Sequence, residues 1–131
     1  MPDQLVQFLG SLAAILVLAA IARGFRLGPA PVLKDESEAR RAADEAVDGF
    51  APLEIALDAW GRGAVLSDAQ GRILLLRPHG THFAGRLLTA RAEARVEGET
   101  LVVDTAERRF GAAHLEVADP QAWVQRIEAI D

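Results

Sequence analysis

The chain has 131 residues, no cysteine and a formal net charge of −5. This length leaves room for about one domain beside a membrane segment. Without cysteine, disulfide bonds and Cys-based metal or nucleophilic chemistry are excluded. The modest acidic charge argues against binding to nucleic acid.

Residues 5–22 form an almost unbroken apolar run. In a helix that rises ~1.5 Å per residue, this run spans roughly 27 Å, close to the ~30 Å hydrocarbon core of a bilayer. We therefore expect a retained transmembrane anchor over residues 1–26, in which residues 5–22 contact the lipid bilayer. A cleaved signal peptide is the main alternative, with cleavage near Ala22 at a triplet of small and apolar residues, and a buried core helix is the third.

The basic residues near the apolar run predict its orientation. Arg23 and Arg26 follow the run directly, whereas residues 1–4 contain neither Lys nor Arg. Because positively charged flanks stay on the cytoplasmic side, we expect the N-terminus outside and the C-terminal domain in the cytoplasm. The abundance of Ala, and of Arg over Lys, is typical of a high-GC bacterial genome, so the membrane would be a bacterial inner membrane.

Residues 27–50 are predicted to be a linker with a short juxtamembrane helix. Pro29 and Pro31 disfavour helix, so the membrane helix should end there. Residues 34–47 have high helix propensity, with acidic residues in the first turn. The apolar side of this second helix is mostly alanine, which predicts either a spacer or a lightly docked lid.

Residues 51–131 have the pattern of a β domain closed by one helix. Leu53, Ile55 and Leu57 alternate with more polar positions, as in a strand with one buried face. Turn-forming residues then recur at short intervals, which predicts six or seven short antiparallel strands in a barrel or sandwich. The predicted strands cover residues 53–58, 64–67, 72–77, 82–89, 91–97, 100–104 and 109–117.

The last segment predicts an amphipathic helix that covers one face or one open end of the sheet. Asp119 is predicted as the N-cap and Pro120 as the first helical residue. One apolar stripe follows at helical spacing, formed by Trp123, Val124, Ile127 and Ile130. The fold class is therefore mainly β with helices (α+β), preceded by a transmembrane helix.

The order of about seven antiparallel strands and one C-terminal helix, with Trp123 in that helix, resembles the pleckstrin-homology-like (PH-like) fold of bacterial proteins over residues 53–130. Residues 63–72 and 83–86 are similar to stretches in single-pass proteobacterial proteins of photosynthetic-complex assembly. The chain also resembles small uncharacterised alphaproteobacterial membrane proteins. These resemblances imply an interaction or assembly role. The loop that binds phosphoinositides in PH proteins would correspond to residues 60–63, which supply a single Arg.

Residues that could support catalysis or metal binding are few. A three-His metal site would require His79, His82 and His114 to converge, and the sequence leaves this open. Ser67 has no evident base partner. The carboxylates available for acid–base chemistry all fall in or beside turns, where they normally satisfy the local backbone: Asp58, Asp68, Asp104 and Glu107. We therefore expect no enzyme activity, no metal and no cofactor.

The candidate interaction residues are one tryptophan and four arginines. Trp60 lies in a glycine-flanked turn, where it could meet a membrane interface or a partner, or fold back over the barrel mouth. The arginines could meet anionic headgroups or an acidic partner if they converge, or form a solvated face neutralised by Glu residues. The set consists of Trp60, Arg62, Arg72, Arg77 and Arg86.

Together these patterns predict a non-enzymatic interaction or assembly module of a membrane complex, held by a single-pass anchor. Its expected partners are the bilayer and a membrane protein, with no small-molecule substrate. The alternative is a secreted or periplasmic β domain that binds a small ligand. Membrane-associated catalysis by the His and Asp residues is a third possibility without an assembled motif.

Overall fold

The computed structural model describes residues 3–27 and 31–131. The chain divides into two compact units, residues 1–30 and residues 31–131. The predicted end of the membrane helix at Pro29 lies outside the described residues.

The first unit contains helix α1, Asp3–Leu27. Its segment Asp3–Ile21 has a mean hydropathy of 2.1, and none of that segment is buried. By length and composition, α1 can therefore cross a membrane. A signal sequence near an N-terminus has the same properties, so the anchor and the signal peptide are both compatible with α1, whereas the unburied segment does not fit a buried core helix.

The second unit contains two helices and seven strands. They form two antiparallel sheets, in the orders β1-β2-β3-β4 and β5-β6-β7. The α+β class is confirmed, but among the described residues the two sheets do not pair with each other to close a barrel. The elements are α2 (Glu36–Ala46), β1 (Pro52–Leu57), β2 (Ala64–Asp68), β3 (Ile73–His79), β4 (His82–Leu87), β5 (Glu93–Glu97), β6 (Thr100–Asp104), β7 (Ala112–Glu116) and α3 (Pro120–Glu128).

The four-stranded sheet is the central layer of this unit. On β3, Ile73 and Leu75 belong to a core shared with the three-stranded sheet and α3. Leu74 and Leu76 point to the opposite face and belong to a core shared with α2. Burial on both faces explains why residues 73–76 are uninterruptedly apolar instead of alternating with polar residues.

Helix α2 is docked on the central sheet. Ala39 and Ala43 are fully buried, and a Cβ placed on Gly85 of β4 would lie 2.6 Å from the Cβ of Ala46. The small alanine and glycine residues thus let the helix approach the sheet closely. Leu33, before the helix, is also buried. Part of the predicted linker, residues 31–50, therefore belongs to the compact unit.

Two local expectations differ from the structure. Leu53 is 68% exposed, because the register of β1 shifts between Pro52 and Glu54 and so moves Leu53 off the buried face. Asp119 precedes α3 in a left-handed conformation, and its side chain makes no capping hydrogen bond. Pro120 nevertheless begins the helix as predicted, and the stripe that includes Trp123 is buried.

Candidate interaction surfaces

The loop between β1 and β2, residues 58–63, is organised by a buried carboxylate. Asp58 Oδ2 accepts hydrogen bonds from the backbone N–H groups of Trp60 (3.1 Å) and Arg62 (3.0 Å). Its Oδ1 accepts from the backbone N–H of Glu116 at 2.7 Å. Asp58 is only 5% exposed. One side chain thus fixes this loop and joins it to the end of β7.

Trp60 is presented to solvent on this fixed loop. Its side chain is 65% exposed, and its Nε1–H donates to Glu116 Oε2 at 2.8 Å. The side chain of the neighbouring Arg62 is also exposed. Trp60 therefore lies outside both hydrophobic cores, with its ring orientation restrained by a carboxylate.

The segment 31–33 packs against the same loop. The backbone N–H of Leu33 donates to the carbonyl oxygen of Gly61 at 2.9 Å. Gly61 has a positive φ of 72°, and a Cβ on it would collide with the Val32 side chain. Val32 is itself half exposed. Val32 therefore lies against Gly61 in space, and Trp60 precedes Gly61 in sequence. We call Val32 and Trp60 the Trp60 patch.

The hairpin between β2 and β3 is organised by a second buried carboxylate. Asp68 accepts from the backbone N–H groups of Gln70 (3.0 Å) and Arg72 (2.8 Å), and from Arg72 Nε at 2.6 Å. Burial alone would raise the pKa of Asp68, but the hydrogen bonds and charge of Arg72, with the Gln70 N–H, outweigh burial and lower this pKa. The Arg72 guanidinium lies 5.5 Å from the centroid of the Phe50 ring.

Arg77 and Arg86 converge on Phe110, in the loop between β6 and β7. Their guanidinium carbons lie 5.4 Å and 5.1 Å from the centroid of its ring. Arg77 Nη1 donates to the carbonyl oxygen of Phe110, and Arg86 Nε pairs with Glu107 Oε2 at 2.9 Å. These two arginines therefore stabilise the loop within the unit.

The predicted arginines thus lie in three separate places. Arg62 is on the loop after β1, Arg72 on the hairpin after β2, and Arg77 and Arg86 beside Phe110. Three of the four are engaged in contacts within the unit. Arg72, Arg77 and Arg86 therefore provide stabilising contacts at separate points, and the four predicted arginines do not converge on one site.

The histidines do not assemble into a metal site in the part of the chain that the structure describes. His79 and His82 are register partners at the end of the β3–β4 hairpin. His114 lies on β7 of the other sheet, opposite Val102. Among the described residues, no group of three or more His, Cys, Asp or Glu could hold a metal ion.

A groove of about 800 Å³ opens between the hairpin after β2 and the end of α3. Its lining includes the exposed Leu53 and the charged side chains of Glu54, Arg72 and Arg126. Arg126 forms an ion pair with Glu54 and lies 4.6 Å from the Trp123 ring centroid. The remaining apolar lining residues are Ile73, Leu88, Ala90, Ala129 and Ile130.

No family profile, curated protein sequence or solved structure matches the chain. Its function is therefore inferred from its own geometry and chemistry.

The sequence interpretation missed the groove, although it named Arg72 as a candidate residue. Leu53 was assigned to the buried face, so its position at the rim of the groove was not expected. The available signal was Pro52, since proline within a strand is confined to edge strands, first positions and bulges. Pro52 is the first residue of β1, an edge strand, and the register shifts directly after it.

Proposed function

We propose that the chain is a single-pass, membrane-anchored interaction or assembly module without catalytic activity of its own. The observation that carries this proposal is α1, whose segment Asp3–Ile21 is apolar and entirely unburied. A surface of this kind is unfavourable in water and is matched by the hydrocarbon core of a bilayer. The anchor would confine the compact unit to the membrane, so that a weak binding surface suffices for its partner.

The proposed fold of the compact unit is PH-like. Four antiparallel strands, then three, then one helix follow each other in chain order. The buried Trp123, Val124 and Ile127 of α3 join the core between the two sheets. This arrangement supports the resemblance, which implies binding to a partner rather than catalysis.

The proposed location is a bacterial inner membrane, with the compact unit in the cytoplasm. Arg23 and Arg26 follow the apolar segment directly, and basic flanks are retained on the cytoplasmic side. A reporter enzyme that works only in the cytoplasm should be active when it is fused after Asp131, and a reporter that works only in the periplasm should be inactive there. Periplasmic activity of that fusion would contradict this orientation.

The groove beside Leu53 is the surface that best suits a protein partner. Leu53 is an exposed apolar residue, and the charged side chains of the groove have both signs, since Glu54 lines it together with Arg72 and Arg126. Apolar centres with a polar rim are the usual anatomy of protein interfaces. We propose that a segment of the partner inserts an apolar side chain next to Leu53.

Membrane retention is tested first. The full chain should remain in the membrane fraction through an alkaline carbonate wash, and N-terminal sequencing of the mature protein should begin upstream of Ala22. A mature protein that begins just after Ala22 would instead favour a secreted or periplasmic ligand-binding domain. The groove volume, about 800 Å³, lies within the range of small-molecule sites, ~300–1,000 Å³, and this is the observation that favours that second candidate.

Partner binding is tested with two matched substitutions on the full chain. Leu53→Glu places a charge at the groove rim, whereas Leu87→Glu places one on the exposed part of β4. After chemical cross-linking in membranes and affinity purification, Leu53→Glu should lose the proteins that the unsubstituted chain retains, and Leu87→Glu should keep them. Equal retention by both variants would contradict the groove as the docking surface.

A further inference from the structure

We propose that the Trp60 patch, Val32 with Trp60, lies in the headgroup region of the bilayer and holds the compact unit against the membrane. This inference rests on the retained anchor proposed above. The proposal names the lipid headgroup region as what the patch binds, and it states which end of the compact unit faces the membrane.

The covalent chain limits how far the patch can be from the bilayer. Five peptide steps lead from Leu27, the last residue of α1, to Val32. A fully extended chain of this length spans at most ~18 Å. The apolar segment itself ends at Ile21, one to two helical turns before Leu27. Val32 is therefore tethered close to the membrane surface, and Gly61 keeps the Trp60 loop against Val32.

The distribution of exposed apolar side chains points to the same end of the unit. In residues 31–131, the large exposed hydrophobic residues are Val32, Leu53, Trp60 and Leu87. Two of these four form the patch, next to the place where the chain enters the unit. Exposed hydrophobic residues that occur singly need no explanation. Val32 and Trp60 instead occur as a pair next to Gly61, at the end of the unit that is joined to α1, and such a pair indicates an interaction site.

Trp60 has the chemistry and the rigidity that an interfacial position requires. Tryptophan combines a large apolar ring with a polar N–H, and it is enriched where hydrocarbon meets water. The loop of Trp60 is already held by Asp58, and its Nε1–H is already bonded to Glu116. Little conformational entropy is therefore lost when the ring enters the headgroup region.

The charges around the patch indicate that its contact with lipid is not electrostatic. Glu116 accepts from the Trp60 ring, while Glu99 and Asp119 line a shallow depression beside Ala59 and Glu116. Arg62 is the basic residue of the same loop. Because acidic groups predominate around the patch, anionic headgroups would not be attracted to it. The patch should therefore contact a zwitterionic bilayer equally well.

This placement directs the groove away from the membrane. Trp60 follows the C-terminal end of β1, whereas Leu53 lies near its beginning. At ~3.3 Å per residue, the strand from Leu53 to Leu57 separates Leu53 from the Trp60 loop by roughly 13 Å. With Trp60 at the bilayer, Leu53 faces the cytoplasm, where a partner segment can reach it.

The test measures the depth of Trp60 in the full chain reconstituted into phosphatidylcholine nanodiscs. Trp123→Phe leaves Trp60 as the only tryptophan. Lipids brominated near the headgroup end of the acyl chain should quench its emission strongly, lipids brominated near the methyl end should quench it less, and aqueous iodide should quench it weakly. Because Trp123 is buried and its replacement can destabilise the unit, the difference in emission between the unsubstituted chain and Trp60→Phe provides the same measurement with Trp123 retained.

The control moves the reporter to the other end of β1. Leu53→Trp, combined with Trp60→Phe and Trp123→Phe, has its tryptophan at a position as exposed as that of Trp60. This reporter should be insensitive to brominated lipid and open to iodide. Equal lipid quenching at both positions, or iodide-accessible Trp60 without lipid quenching, would overturn the inference while the anchor stands. A chain that leaves the nanodiscs in alkaline carbonate would overturn the anchor as well.

Discussion

The loops at the two ends of β2 use the same chemistry for different purposes. In each, a buried Asp accepts three hydrogen bonds, Asp58 in the loop before β2 and Asp68 in the hairpin after it. The three donors to Asp68 lie within four residues of it. One donor to Asp58, the N–H of Glu116, lies 58 residues further along the chain. Asp68 therefore shapes a turn, whereas Asp58 also joins the two sheets.

The largest expected effect comes from removing the two carboxylates in turn. Asp58→Ala should lower the free energy of unfolding by about 3 kcal/mol, because three backbone donors lose their acceptor and one of them belongs to the end of β7 in the other sheet. Asp68→Ala should cost only about 1–2 kcal/mol, because its donors all lie in the same hairpin and the half-exposed Arg72 guanidinium can bond to water instead. Urea unfolding of the full chain in mild detergent, followed by near-ultraviolet circular dichroism, measures both.

Equal losses for the two variants would show that the bond to Glu116 adds nothing to sheet association. Asp58→Asn is the matched control. It retains one acceptor oxygen but places an NH2 donor where the other oxygen accepts a backbone N–H, so its loss should approach that of Asp58→Ala.

Gly61 and Gly71 allow a second comparison of the loops before and after β2, based on the space available for a side chain. Gly61 and Gly71 both have positive φ, 72° and 81°. An alanine in this conformation costs roughly 1–2 kcal/mol. A Cβ on Gly71 meets nothing within 4 Å, whereas a Cβ on Gly61 collides with Val32 and lies 3.0 Å from the carbonyl oxygen of Leu33.

Gly61→Ala should therefore destabilise the unit by about 1–2 kcal/mol more than Gly71→Ala, since overpacking adds to the backbone cost. The measurement is the difference between the urea midpoints of the two variants, provided that their unfolding free energies depend equally steeply on urea concentration. Indistinguishable midpoints would mean that segment 31–33 is not held against the loop in solution.

The sequence predicted the parts of this fold that depend on neighbouring residues. Alternating hydrophobicity and glycine-containing turns located all seven strands and the hairpin at Asp68, because these patterns act within a few residues. Residues 73–76 were assigned correctly to a strand, but their burial on both faces was not predicted, although the unbroken apolar run is the signal for it. That burial depends on the docking of α2, whose alanine-rich side left two possibilities open.

The candidate surfaces were less predictable because they depend on contacts between distant segments. The exposure of Trp60 was one of two stated alternatives, and its bond to Glu116 joins residues 56 positions apart. Arg77 and Arg86 could not be assigned to Phe110 from the sequence, since that contact requires the first sheet to meet the loop of the second. Leu53 was misassigned because a register shift after Pro52 reverses the side on which strand residues lie.

The smallest expected effect is the loss of stability at acid pH that comes from Asp68 in the hairpin after β2. The folded-state pKa of Asp68 is lowered from its ordinary value of 3.8. A carboxylate with a depressed pKa stabilises the folded state fully above its unfolded value, and this contribution is lost as the pH falls through the folded value. The difference in unfolding free energy between the unsubstituted chain and Asp68→Asn should therefore be constant near neutral pH and shrink below 3.8.

This acid effect is smaller than the preceding ones because protonation of Asp68 leaves its oxygens in place as hydrogen-bond acceptors. Only the preference for the charged form is removed, which the Arg72 side chain and the backbone N–H groups of Arg72 and Gln70 together provide. Urea unfolding at a series of pH values, from neutral to below 3.8, measures the difference between the two chains. A difference that stays constant down to acid unfolding would contradict the lowered pKa of Asp68.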